Sequence, residues 1–81
     1  MQKQIENIIS ELNKSVNNST ININRLTELT KRLMNLAAAT SLGQYIADVQ
    51  IAIETFDGDD IYINWTIHEL IDTFAEVNLG F

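Results

Sequence analysis

The chain has 81 residues, a net charge of −6 and no cysteine, which excludes disulfide staples and thiolate metal sites and fits a reducing compartment. A chain of this length builds one core and buries only about 60–65% of its unfolded surface. Hydrophobic residues make up 46% of it, too many for a disordered tail, so one small folded domain over 1–81 is expected.

Residues 2–16 place Ile5, Ile8, Ile9, Leu12 and Val16 at helical spacing, with charged residues on the other face. Asn17, Asn18, Ser19 and Thr20 break the pattern as a loop. Asn22 or Asn24 can cap a second helix, whose apolar stripe is Leu26, Leu29, Leu33 and Leu36, joined by Ile23, Ala37 and Thr40. Gly43 is expected to end it in a left-handed conformation. Two helices joined by a short loop pack antiparallel, so residues 1–43 read as a helical hairpin.

Residues 44–66 support two readings. As a helix, Tyr45, Ile46, Val49, Ala52, Ile53 and Phe56 share a face while Ile51 points away. As strands, Val49, Ile51, Ile53 and Thr55 alternate with Gln50, Ala52, Glu54 and Phe56, and Ile61, Ile63 and Trp65 alternate with Tyr62 and Asn64. Asp57-Gly58 between alternating segments is a strong hairpin signal. A bulge near Asp59 or Asp60 sets Ile51 opposite Trp65 and Ile53 opposite Ile63, with Glu54 and Tyr62 paired on the outer face. The β-hairpin is the favoured reading of the two.

The last segment reads as a helix from Ile67 to about Asn78. Thr66 and Glu69 have capping-box spacing, and Trp65 is placed to staple onto Leu70. Ile67, Leu70, Ile71, Phe74 and Val77 or Asn78 form its apolar stripe, Gly80 its stop, and Phe81 can fold back on the last turn. The expected fold class is therefore α+β in the order ααββα: a helical hairpin, a β-hairpin and a C-terminal helix over 67–79. The alternative is an all-α four-helix bundle.

Charge is unevenly distributed. Residues 1–43 hold five cations and three carboxylates; residues 44–81 hold eight carboxylates and no Lys or Arg, together with all six aromatics. That field repels phosphate backbones, which excludes direct nucleic-acid binding, and attracts cationic surfaces. No catalytic or metal signature survives. His68 is the only histidine, and a His68–Asp72 pair would still need a nucleophile. An EF-hand loop beginning at Asp57 would put Ile61 and His68 where oxygen ligands belong. The glycines fit turns and caps, not a phosphate loop. No enzyme, cofactor or metal is expected.

No apolar run reaches the ~18 residues of a membrane span, and the start Met-Gln-Lys-Gln-Ile-Glu does not resemble a signal peptide, so a cytoplasmic protein without membrane contact is expected. The functional expectation is a small acidic binding protein of inhibitor or regulator type, in the manner of immunity, antitoxin-like or phage counter-defence proteins. It would dock its C-terminal half on a basic protein surface through Glu54, Asp57, Asp59, Asp60 and Tyr62. The alternatives are an assembly subunit forming a small homo-oligomer, and a DNA mimic. Homodimerisation through segment Ile61–Trp65, or through the second helix near Ala37-Ala38-Ala39, is a further expectation.

Overall fold

The computed structural model of the protein describes residues 2–17 and 22–79, and the side chains of 3–17 and 22–76. It contains four helices, α1 Gln2–Asn17, α2 Ile23–Ala37, α3 Gly43–Glu54 and α4 Ile61–Leu79, and no strand among the described residues. The architecture is the all-α bundle, and the α+β expectation is overturned. Each helix packs on the next and α4 returns to α1, giving a body of 38 × 22 × 17 Å.

The helices alternate in direction. Glu11, late in α1, meets Arg25, early in α2. Thr27 and Thr30 of α2 share a cavity with Gln50 and Ile53 of α3. Phe56, just past the end of α3, shares a cavity with Tyr62 and Ile63 at the start of α4. One core cluster draws on all four helices, with Leu12, Leu26, Leu33, Ile46, Val49, Ile67 and Leu70 at its centre. In α1 and α2 the core residues are the ones the helical spacing selects, and Asn22 caps α2 by accepting the Arg25 amide at 3.1 Å. Asn18, Ser19 and Thr20 of the expected first loop lie outside the described residues, as do Gly80, Phe81 and the side chains of Val77 and Asn78.

Gly43 does not end α2. Among the described residues the one glycine with a positive φ is Gly58, at 103°, and Gly43 instead opens α3. A Cβ on Gly43 would stand 2.5 Å from the Ala38 carbonyl oxygen, so close backbone approach, not left-handed geometry, demands glycine there. Thr40 leaves the α2 stripe and clamps the α2–α3 turn: its Oγ1 donates to the Ala37 carbonyl at 2.7 Å and accepts from the Leu42 amide at 3.1 Å. Ala37 is buried while Ala38 and Ala39 are exposed.

The hairpin fails because its turn joins two helices. Residues 45–56 obey the helical alternative, with Ile46, Val49 and Ala52 buried and Ile51 facing outward. The alternation of Ile61, Ile63 and Trp65 has a different cause. Ile63 enters the core, whereas Ile61 and Trp65, one helical turn apart, both point to solvent. With Trp65 and Ile51 exposed, both the Trp65–Leu70 staple and the Trp65–Ile51 register pair are excluded.

The capping box fails for the same reason. Thr66 lies inside α4, 2% exposed, with its hydroxyl donating back to the Ile63 carbonyl at 2.9 Å. The helix begins upstream, where the Asp60 carbonyl accepts the Asn64 amide at 2.9 Å and the Asp59 carboxylate accepts the Ile61 amide at 3.0 Å. That bond satisfies one of the amides a helix start leaves unpaired, and it places negative charge at the positive helix end.

Candidate functional site

Helices α1 and α2 hold the three ion pairs found among the described residues. The Arg25 guanidinium grips both Glu11 oxygens, through Nε at 2.5 Å and Nη2 at 2.7 Å, and reaches Glu28 at 3.0 Å. Hydrogen bonding to Arg25, with its charge, holds the Glu11 carboxyl below its ordinary range, and the same contact raises Arg25 further. Arg32 faces Glu28 at 3.8 Å. An open cavity of about 360 Å³ on this side is lined by Gln4, Asn7 and Asn35 as well as Glu11 and Arg32, so its charges already have partners.

The outer surface of α3 and α4 is different. Among the described residues its exposed large apolar side chains are Ile51 at 51%, Ile61 at 72%, Tyr62 at 48% and Trp65 at 58%. The Tyr62 and Trp65 rings stack, centroids 6.3 Å apart and planes at 19°. Spacings of three and four put Ile61, Tyr62 and Trp65 on one stripe of the first turns of α4, continued by exposed His68, Glu69 and Asp72. Among the described residues, no carboxylate of α3, α4 or the turn between them is in an ion pair, the three pairs all lying within α1 and α2.

The five predicted interaction residues separate into three groups. Asp57, Asp59 and Tyr62 come together around a cavity of about 210 Å³ between the end of α3 and the start of α4. Both carboxylates also shape the turn: Asp57 accepts the Asp59 amide at 3.1 Å, and Asp59 accepts that of Ile61. Glu54 lies on the opposite seam, beside Thr27 and Lys31 of α2, so the expected Glu54–Tyr62 outer-face pair does not form. Asp60 is half-buried at the start of α4.

Sequence reasoning missed Ile51, Ile61 and Trp65 as surface residues, because period-two alternation assigned them to a core face. The helical reading of 44–56, which turned Ile51 outward, carried the one signal that could have found this surface. No group of three or more His, Cys, Asp or Glu side chains is placed to hold a metal ion among the described residues. His68 stands exposed in α4, about two turns inside it and not in its first turn as the expected start at Ile67 would have it. No helix among the described residues is long and apolar enough to cross a membrane. Compared with protein-family models, curated proteins and solved structures, the chain matches none of them significantly.

Proposed function

We propose that the protein is a small non-enzymatic binding protein of the cytoplasm, an inhibitor or regulator that docks its α3–α4 face on a basic surface of a protein partner. The observation that carries this reading is the exposed stripe Ile61–Tyr62–Trp65, set among carboxylates that have no cation in their own half of the chain. Covering a half-exposed side chain of this size is worth on the order of 1 kcal/mol. Aromatic anchors with a charged surround are the usual composition of a binding hot spot. Charge supplies the specificity: a basic surface gains on approach, and a nucleic-acid backbone is repelled. DNA mimicry is less well supported, because Glu54 stands on a different seam from Asp57 and Asp59.

The test is a salt titration of the complex with the partner recovered from the native host. Affinity that falls steeply with added NaCl, and is lost in Trp65→Ala, supports the proposal. Affinity that is flat from low to high salt removes the acidic face from the interface.

The second reading is an assembly subunit, favoured by the amount of apolar surface left open on so small a chain. A two-fold dimer through this face would set Asp57, Asp59, Glu69 and Asp72 against their own copies, which opposes it at low salt. Sedimentation equilibrium decides: a stable oligomer of the purified chain, dissociated by Trp65→Ala, favours assembly.

A further inference from the structure

We propose that the cavity between the end of α3 and the start of α4 receives one arginine side chain of the partner. The inference rests on the binding-protein reading and names the anchor that reading requires.

The cavity is about 210 Å³, below the roughly 300–1,000 Å³ of small-molecule sites, so its size suits a single long side chain better than a cofactor. Its walls divide by chemistry. The half-buried Phe56 supplies apolar surface over the buried Ala52 and Ile63, and Asp57 and Asp59 supply two carboxylates. An arginine has the same division, with an aliphatic stem and a charged planar head.

Each carboxylate gives Oδ1 to a turn amide, Asp57 to Asp59 at 3.1 Å and Asp59 to Ile61 at 3.0 Å, which leaves each Oδ2 for a ligand. These bonds fix the carboxylates before any partner arrives, which lowers the ordering cost of binding. The ends of α3 and α4 bring partial charges of opposite sign, about half an elementary charge each. They offset one another, so the two full negative charges dominate. No Lys or Arg occurs after residue 43 to neutralise them. Of the five cations in the first half, Arg25 and Arg32 face Glu11 and Glu28, Lys31 borders a different cavity, and neither Lys3 nor Lys14 lines this one.

Tyr62 selects arginine over lysine. It borders the cavity, and its ring is buttressed by stacking on Trp65. A guanidinium is planar and more weakly hydrated than an ammonium, and it can stack on an aromatic face while its rigid fork reaches two carboxylates; an ammonium is a strongly hydrated point charge with no plane to stack.

The test follows amide NMR spectra of the intact protein at fixed ionic strength. The probes are Nα-acetyl-arginine amide, its neutral isostere Nα-acetyl-citrulline amide, and octa-arginine. Saturable shifts at Thr55, Phe56, Asp59, Tyr62 and Ile63 are expected with arginine and not with citrulline. The double variant Asp57→Asn/Asp59→Asn keeps an oxygen acceptor at each turn position and should bind arginine about tenfold more weakly. Its fold is checked by unchanged helical circular dichroism.

Equal shifts from arginine and citrulline overturn the assignment, as do arginine shifts that never saturate and spread over Asp48, Glu69 and Asp72. Octa-arginine separates the two levels. If it binds through Trp65 with the same affinity in wild type and double variant, the basic-partner reading stands and the arginine cavity falls. If it does not bind at all, both fall.

Discussion

The two halves of the bundle contribute to one core but treat their outer surfaces in opposite ways. In α1 and α2 the apolar residues stay on one face, and the best-placed charges outside it find each other in the Glu11–Arg25–Glu28 network. In α3 and α4 large apolar residues stand on the outside as well, and the carboxylates around them are unmatched. The first pair leaves no large apolar side chain exposed among the described residues. The second pair has an outer surface that its own fold does not use, and that surface is where a partner has something to gain.

The comparison breaks first at the core, where the halves should be equal. Leu26 in α2 and Leu70 in α4 are both fully buried. Leu26→Ala and Leu70→Ala should each lose about 2–5 kcal/mol, as large-to-small core changes do. Urea unfolding measures both. A marginal loss at Leu70 alone would mean that α4 is not a full member of the bundle.

Next in size is the backbone contact that joins the halves. Gly43→Ala forces a methyl group against the Ala38 carbonyl, which the ideal geometry places 2.5 Å away; overpacking of this kind costs about 1–3 kcal/mol. Open space surrounds Gly58, so a Cβ there meets only the strain of φ 103°, about 1–2 kcal/mol. The informative outcome is the mechanism as much as the size. Structure determination of Gly43→Ala should find the α2–α3 turn displaced, and an unchanged turn with unchanged stability would refute the close contact.

The same division explains what could be read in advance. The helices α1 and α2, their apolar stripes and the Asn22 cap follow from spacing, because each outward position there is polar and the period is unambiguous. The Asp57-Gly58 turn was also legible, since Gly58 has the positive φ that a turn requires. Its flanks were not. Ile51, Ile61 and Trp65 are apolar residues on outward helix positions, and they add a period of two to a segment whose buried residues follow 3.6. Thr66 and Glu69 then imitated a helix start that Asp59 and Asp60 already provide. Within the candidate site, the acidic turn and Tyr62 could be named from sequence, but their separation from Glu54 depended on which helix face each occupies. Pattern and fold disagree at the residues left uncovered, which is where a functional constraint is expected to override folding rules.

A smaller effect sharpens the comparison by pH. Arg25 holds the Glu11 carboxyl below its ordinary value of 4.5. A depressed folded-state value contributes stability that is complete above the unfolded value and lost as pH falls through the folded one. Wild type should therefore lose stability from about pH 4.5 downward more steeply than Glu11→Gln, while near pH 7 the variant should be slightly the weaker. Both side chains are about 40% exposed, at 40% and 39%, so screening keeps the difference small. Thermal melts between pH 3 and 7 compare the two, and superimposable acid limbs would remove the pair from the stability of the first half.

The smallest expected change in stability separates the two halves most sharply. Trp65 is the largest side chain in the molecule, and removing a core tryptophan costs about 3–5 kcal/mol. In α4 it stands 58% exposed against Tyr62, and Trp65→Ala should stay within about 0.5 kcal/mol of wild type, as surface changes do. Any loss above that would come from the Tyr62 stack, which Tyr62→Ala should reproduce without adding to it. The same variant should weaken binding of a basic partner by far more than it weakens the fold. A side chain that is nearly neutral for folding and decisive for binding belongs to an interface; if Trp65→Ala instead unfolds the chain like Leu70→Ala, the residue belongs to the core and α3–α4 is as closed a surface as α1–α2.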